Sequence, residues 1–226
     1  MVNLHRNFKW IRLVESVGIV LFCAAMVHAF YTIGQNAPMQ AVVLSCLSLP
    51  LAYFCADFLT GVIHWVCDSF GDSDTPLWGP MIVAPFRRHH RDPLEITRIS
   101  LAENLGASAI VGVLALWLFF PVRPSYRDLS YLLLLHFWLW LIVFAVVSNL
   151  FHRWSHLPRA NKPRWMLALQ KRHVILNTTA HLVHHRKPYR VNYCILSGWA
   201  NPLSNRVPWQ RFESALAKVG IPTNFD

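Results

Sequence analysis

The chain has 226 residues, of which 54% are hydrophobic and only 14% charged, and its mean hydropathy is +0.33. These values exclude an ordinary soluble globular protein and predict a membrane protein. The formal net charge is +10, but the Lys and Arg residues flank long apolar runs and do not form a patch on a polar domain. We therefore expect them to face anionic lipid headgroups, and we expect no nucleic-acid binding.

Four apolar stretches are each close to the ~20 residues that cross the hydrocarbon core of a bilayer. They predict transmembrane helices at residues 10–33, 39–63, 105–120 and 129–151. The third is short and ends before Pro121. The first is too long for the apolar part of a signal peptide, so we expect it to be retained as a span.

The distribution of Lys and Arg predicts the orientation of these spans. Residues 1–12, 64–102 and 152–226 hold three, four and twelve of them, whereas the two loops on the other side hold two in total. The positive-inside rule then places both termini and the middle loop in the cytosol.

The expected architecture is all-α: one domain over residues 1–226, with four transmembrane helices and a cytosolic cap formed by residues 64–102 and 152–226. Amphipathic patterns predict interfacial helices at residues 162–176 and 209–219. No strand-like alternation is present. The five cysteines show no Cys-x-x-Cys spacing, which argues against a disulfide scaffold and a thiolate metal site.

Histidine is the most informative residue type, because imidazole is a common metal ligand and twelve histidines are present. Eight of them fall in four groups at the predicted cytosolic ends of spans: His64, followed by Asp68; His89 and His90; His152 and His156; and His181, His184 and His185. Spacings of three and four place side chains on one helix face. A single such pair is more often solvated, but four groups on one membrane face predict a metal site.

Eight imidazoles exceed the roughly four ligands of one tetrahedral zinc, so two metals are the natural interpretation. The scarcity of Glu near the histidines argues against a ferritin-like carboxylate site. An imidazole-rich site suits iron, among other metals.

The histidines belong to longer motifs. These are His64-Trp-Val-Cys-Asp68, Pro85-Phe-Arg-Arg-His89-His90-Arg-Asp92-Pro93 with Ile96-Thr97-Arg98, His152-Arg-Trp-Ser-His156, His181-Leu-Val-His184-His185, and Gly198-Trp199 with Asn201-Pro202-Leu203. From about Asp57 to Arg211 the chain resembles the plasmanylethanolamine desaturase family, also called Kua or CarF-like lipid desaturases. One departure is Asp68-Ser-Phe-Gly in place of the family's Asp-Thr-Trp-Gly.

The resemblance implies an O2-dependent membrane lipid desaturase with a di-iron centre, whose ligands are the eight histidines at positions 64, 89, 90, 152, 156, 181, 184 and 185. In the plasmanyl enzyme, a 1-O-alkyl phospholipid becomes the vinyl ether of a plasmalogen. A related branch includes a plastid enzyme that acts on the acyl chain of phosphatidylglycerol. Desaturation or hydroxylation of an acyl chain is therefore an alternative, and a zinc-dependent membrane lipid hydrolase is a third.

The chain shows no flavin, dinucleotide or cytochrome b5-like motif, so we expect the electrons to come from a separate protein such as cytochrome b5 or a ferredoxin. The host membrane would be the endoplasmic reticulum or a bacterial inner membrane. A non-enzymatic metal transporter or haem-binding subunit is disfavoured, because ionisable groups do not line the midplane of the spans.

Other polar residues have expected supporting roles. Asp68 is the candidate catalytic residue apart from the ligands, and we expect it to orient a ligand imidazole by a hydrogen bond to its far ring nitrogen. Asp57, inside a predicted span, is either functional or a polar helix contact. Glu103, Asn104 and Asn149 border the histidine groups and are expected to cap helices or join them. The four remaining histidines are predicted not to bind metal. They are His5, His28, His136 and His173.

Overall fold

The computed structural model describes residues 9–76, 79–119, 125–221 and residue 223, and within these ranges the chain forms helices and loops without a β-strand. The prediction of an all-α fold is confirmed. The four long helices are α1 (Lys9–Asn36), α2 (Pro38–Ser69), α5 (Leu101–Phe119) and α6 (Leu129–His156). The shorter helices are α3 (Ala84–Arg91), α4 (Glu95–Arg98), α7 (Arg164–Lys171), α8 (Thr178–His184), α9 (Asn201–Ser204) and α10 (Trp209–Lys218). A π-helix (Gly79–Val83) leads into α3, and a 3-10 turn (Arg159–Asn161) precedes α7.

Helices α1, α2, α5 and α6 are long and apolar enough to cross a membrane, and they correspond to the four predicted spans. Two of them continue by five or six residues beyond the end of their apolar stretch. Helix α2 runs on from residue 63 to Ser69, and α6 runs on from residue 151 to His156. These added turns carry polar side chains, which a hydropathy pattern does not include in a span.

The chain divides into two compact units. The first comprises residues 1–52 and 100–146. Its core is apolar and includes Phe22, Ile33 and Leu139, which are almost fully buried. The guanidinium of Arg12 pairs with the carboxylates of Glu15 and Glu103, which joins α1 to α5 inside this unit.

The second unit comprises residues 53–99 and 147–226 and contains all eight histidines of the predicted metal site. Its core includes the segment from Tyr193 to Leu196, which is almost fully buried. An aromatic cluster of Trp65, Tyr193 and Trp209 lies within it. The single domain expected over residues 1–226 stays a prediction.

The two amphipathic segments of the tail differ in outcome. The helix predicted for residues 209–219 is present as α10. The helix predicted for residues 162–176 is present only as α7, which ends at Lys171. His173 has φ of 55°, in the left-handed region, and this conformation ends a helix. The chain then turns so that the backbone amide of Leu176 donates to the carbonyl of Leu196 at 2.9 Å.

Candidate metal centre

Helix ends position the predicted ligands. His64 and Asp68 lie one turn apart at the end of α2, and His152 lies one turn before the last residue of α6. The last turn of α3 carries His89 and His90. Helix α8 carries His181 and His184, and His185 follows directly as its C-cap residue. All these helix ends belong to the second unit.

The structure brings the eight histidines together in two groups. Within each group the potential ligand atoms all lie within 4.8 Å of one another. The five-histidine group consists of His89, His152, His156, His181 and His185, and the mixed group consists of His64, Asp68, His90 and His184. The two groups adjoin, since the ring centroids of His89 and His90 are 4.6 Å apart. Two adjoining groups agree with the two metals that the number of histidines predicts. The presence of two metals stays a prediction.

The five-histidine group has the spacing of ligands around one ion. The Nε2 atom of His181 lies 2.8 Å from that of His152 and 3.0 Å from that of His185. Two nitrogens that bind one metal at about 2.1 Å stand about 3.0–3.4 Å apart at common coordination angles. The imidazoles therefore point their nitrogens at a common centre.

The mixed group adds a carboxylate to three imidazoles. The Nε2 atoms of His90 and His184 are 3.0 Å apart. The Oδ2 atom of Asp68 lies 3.4 Å from Nε2 of His64 and 3.4 Å from Nε2 of His184. Asp68 was expected to contact the far nitrogen of a ligand, but it faces the inward nitrogens. Asp68 could therefore hold a metal together with these imidazoles, because its one-turn spacing from His64 places both side chains on the same helix face.

Backbone carbonyls take the role that was expected of Asp68. The Nδ1 atom of His64 is 2.9 Å from the carbonyl oxygen of Tyr193, and that of His184 is 2.9 Å from the carbonyl oxygen of Val191. An Nδ1–H that donates to a carbonyl fixes the tautomer, so Nε2 keeps its lone pair for a metal. Main-chain partners of this kind have no signature in the sequence.

Burial keeps the imidazoles of His89, His90 and His181 in the neutral form that binds metal. Burial, and then neighbouring imidazoles, hold the pKa values of His89 and His181 well below the usual range. Burial, and then the imidazole of His184, lower the pKa of His90 to about 3. A cluster of protonated imidazoles would be strongly disfavoured here.

Several buried ligand atoms lack any hydrogen-bond partner within the described ranges. They include Nε2 of His64, Nε2 of His89 and both carboxylate oxygens of Asp68. A buried polar atom without a partner costs roughly 1–3 kcal/mol. Metal ions at the two group centres would satisfy these atoms, so the donor set fits a pair of metals.

Asp57 is completely buried and holds the loop that follows Tyr193. Its two carboxylate oxygens accept five hydrogen bonds, from the backbone amides of residues 196, 197, 198 and 200 and from the hydroxyl of Ser197. On the same helix, Gly61 leaves room for this loop, because a Cβ there would lie 2.7 Å from Sγ of Cys194. Asp57 thus supports the segment that presents the Tyr193 carbonyl to His64.

The side chain of Lys162 forms hydrogen bonds to three helices, α6, α7 and α8. Its Nζ donates to Thr178 Oγ1 at 2.6 Å, to Gln170 Oε1 at 3.1 Å and to the carbonyl of Ser155 at 3.4 Å. The side chain of Lys162 is buried. Its place in a polar, basic tail gave no sign of this role in the sequence.

Other candidates lie outside the two groups. Glu103 pairs with Arg12, as expected for a contact between helices. Buried His136 makes a hydrogen bond through Nδ1 to the carbonyl of Leu132 at 2.7 Å. His28 and His173 are exposed. Asn104 and Asn149 are also outside the groups, and His5 lies outside the described residues.

Comparison with known proteins agrees with this geometry. The lipid desaturase domain family matches residues 53–221, which include every residue of both groups. The chain is 32% identical to plasmanylethanolamine desaturase 1 of Mus musculus over 212 residues, which cover 91% of this chain and 77% of that protein. It is 33% identical to plasmanylethanolamine desaturase of Myxococcus xanthus over 195 residues, with 84% and 66% covered.

A third relative is the chloroplastic fatty acid desaturase 4 of Arabidopsis thaliana, 35% identical over 174 residues, which cover 74% of this chain and 51% of that protein. The chain thus spans between about half and about three quarters of the length of these relatives. No solved structure matches the chain significantly.

The resemblance noted in the histidine motifs is therefore confirmed over most of the chain. The family match covers the histidine groups, and four helices are able to span a membrane. The chain belongs to the lipid desaturase family and is a multi-pass membrane oxidoreductase.

Proposed function

We propose that the protein forms the vinyl ether bond of plasmalogens from a 1-O-alkyl (plasmanyl) phospholipid, using O2 and two irons held by the two groups. The observation that supports this most strongly is the convergence of eight imidazoles and Asp68 on two adjoining centres. The plasmanyl substrate is favoured by the match to plasmanylethanolamine desaturases over 91% and 84% of the chain.

Bound iron would supply the O2-derived oxidising power that side chains lack, for removal of hydrogen from an unactivated chain. Zinc has no redox chemistry and would not support this reaction. In the balance, the alkyl chain gives up two hydrogen atoms, an external donor gives two electrons, and two protons are taken up. Together they reduce one O2 to two waters while one carbon–carbon double bond forms.

Residues of this chain would hold the irons and would position the site beside the lipid. Nε2 nitrogens of both groups and the carboxylate of Asp68 would hold the irons, and the carbonyls of Tyr193 and Val191 fix two of the imidazoles. Helix α2 brings the site to the lipid, because exposed Leu59 and Ile63 lie within about 8 Å of His64 along the helix axis. Burial of His64 and His184 keeps bulk water away from the reacting chain.

A second substrate class has its own support. The chain is 35% identical to chloroplastic fatty acid desaturase 4 over 174 residues. The alternative function is therefore desaturation of a phospholipid acyl chain. The same metal groups would serve either substrate, since the hydrogen is removed from a methylene in both.

Lipid mass spectrometry of cells that lack both activities tests the proposal. Cells that express the chain and are fed 1-O-alkylglycerol should accumulate vinyl ether phospholipid, and cells that express His184→Ala should not. His173→Ala, an exposed histidine outside the groups, should behave as the unaltered chain does. A new double bond in an acyl chain without vinyl ether would support the alternative. If a well-inserted, iron-loaded protein forms neither product, both the proposed and the alternative function are contradicted.

A further inference from the structure

A cavity opens beside the mixed metal group, between the segment that follows α8 and the start of α10. It measures about 480 Å³, and its lining includes Arg186, Lys187, Arg190 and Trp209. Three of the described lining residues are basic and none is acidic. Arg186 and Lys187 are exposed, and they directly follow His184 and His185 in the chain.

A buried acid pairs with one of these cations. Arg190 lies 3.7 Å from the carboxylate of Glu213. Glu213 is itself buried, and its other oxygen accepts a hydrogen bond from Trp65 Nε1 at 3.0 Å. Exposed Arg206 and Arg211 stand next in sequence to lining residues and add to the positive charge. The mouth of the cavity therefore offers a basic surface to an acidic partner.

Aromatic rings connect the wall of this cavity to the metal ligands. The ring of Trp209 is 6.1 Å from that of Tyr193, centroid to centroid. Tyr193 in turn is 5.1 Å from His184 and 5.9 Å from His64. The ring of Tyr189, from the same basic segment, stacks on His90 at 4.8 Å. The cavity is thus separated from three ligands of the mixed group by one or two aromatic side chains.

Positions along α2 indicate that the cavity lies away from the lipid. Tyr53 packs on Trp199 at 5.8 Å, whereas Trp65 packs on Trp209 at 4.6 Å. These two α2 residues are twelve positions apart, or about 18 Å along the helix axis. Trp65 stands on the side where the span ends in polar residues. A water-soluble partner fits this position better than the headgroup of a lipid.

We infer that the basic surface formed by Arg186, Lys187 and Arg190 is the docking site of a small acidic electron-carrier protein. The inference rests on the proposed function, which needs two electrons from outside for each double bond. The reduced carrier is oxidised by one electron in each encounter, and two encounters supply the two electrons that O2 needs beyond the two hydrogen atoms of the lipid chain. The rings of Trp209 and Tyr193 lie between the cavity and His64 and His184, and they provide the route for these electrons.

Carrier binding, measured without turnover, tests the inference. The full-length protein in lipid nanodiscs is titrated with two oxidised probes, the soluble haem domain of a cytochrome b5 and a [2Fe–2S] ferredoxin. Salt is varied from about 20 mM to about 300 mM, which shortens the Debye length from about 20 Å to about 6 Å. The test variant is Arg186→Glu with Lys187→Glu. The matched control is Lys171→Glu with Arg172→Glu, an exposed basic pair at the end of α7 that carries the same charge change.

The inference predicts that at least one probe binds the unaltered protein, and binds more weakly as salt rises. The test variant should lose about 10-fold or more in affinity at low salt and most of its salt dependence, while its metal content stays unchanged. The control pair should bind as the unaltered protein does. Equal binding by the test variant, or equal losses in both variants, would overturn the inference.

A second measurement tests whether a lipid phosphate, and not a carrier protein, occupies the cavity. If the test variant binds the carriers normally but raises the KM for phospholipid with a chemical reductant, the cavity holds a lipid phosphate and the inference is wrong. The proposed function can fail independently. A protein that binds a carrier through this surface but forms no double bond would leave the docking site in place and contradict the proposed activity.

Discussion

The carboxylate of Asp57 accepts a hydrogen bond from the backbone amide of Ser197 at 2.9 Å, across 140 positions of the chain. This contact and four others like it hold the loop after Tyr193 against α2. The carbonyl of Tyr193 fixes the tautomer of His64. One buried acid outside the two groups thus supports a candidate metal ligand about two turns further along the same helix.

Asp57→Asn should destabilise the protein by about 2–4 kcal/mol. The amide places an NH2 group where one carboxylate oxygen accepted hydrogen bonds, and each buried donor left without an acceptor costs about 1–3 kcal/mol. The melting temperature should fall by roughly 5–15 °C, and metal content should fall with it. Asp92→Asn is the control, because Asp92 is half exposed and pairs with Arg98, a surface ion pair that contributes about 1 kcal/mol or less. Equal melting temperatures for both variants would show that Asp57 does not anchor the loop.

Substitutions in the two groups should remove metal separately. His184→Ala deletes a donor from the mixed group, and His152→Ala deletes one from the five-histidine group. Each should lower the iron content from about two to about one per chain, as measured by mass spectrometry of the metal, because either group has enough donors to hold one ion. His173→Ala should keep both irons. Full retention of iron in either group variant would remove that histidine from the ligand set.

Asp68→Asn tests the position of the carboxylate among the imidazoles. Loss of its negative charge, 3.4 Å from two inward nitrogens, should weaken binding of one metal by 10-fold or more. Competition with a chelator of known affinity measures this change. Asp74→Asn, which alters an exposed acid in the following loop, should leave the affinity unchanged. If Asp68→Asn bound both metals as tightly as the unaltered protein, Asp68 would be no ligand.

Periodicity and spacing predicted the parts of the structure that depend on local sequence. Apolar runs located the four spans, and the three- and four-residue spacings of His152, His156, His181 and His184 placed their side chains on shared helix faces. The clustering of these faces could be inferred from topology alone. The apolar pattern alone ends at residues 63 and 151, whereas the helical spacing of His152 and His156 indicated that α6 continues past its apolar stretch.

Features that depend on tertiary contacts could not be read from the sequence. The carbonyl oxygens of Tyr193 and Val191 accept hydrogen bonds from two candidate ligands, His64 and His184, yet any residue type supplies a carbonyl. Lys162 looked like one more basic residue of the tail, although it is buried among three polar partners. The spacing of His64 and Asp68 predicts that the two side chains share a helix face. It does not predict which imidazole nitrogen the Asp68 carboxylate contacts, so the sequence could not place the carboxylate beside the inward nitrogens.

The charge distribution predicts that residues 64–102 and 152–226 lie on the cytosolic side. In a cysteine-free background, Asp74→Cys and Ser214→Cys should react with a membrane-impermeant thiol reagent only when it reaches the cytosolic face. Asn36→Cys, at the turn between α1 and α2, should react from the other face. All three positions are exposed. Labelling of Asp74→Cys and Ser214→Cys from opposite faces would contradict the joint metal site.

The most direct measurement is product formation by one purified preparation, divided and loaded with either iron or zinc and supplied with plasmanyl phospholipid, a reductant and O2. Iron-loaded protein should form about one vinyl ether per O2 consumed and should stop when O2 is removed. Zinc fits the same imidazole groups but has no redox chemistry, so zinc-loaded protein should form none. Product from the zinc-loaded protein, or product without O2, would contradict an iron-dependent desaturase.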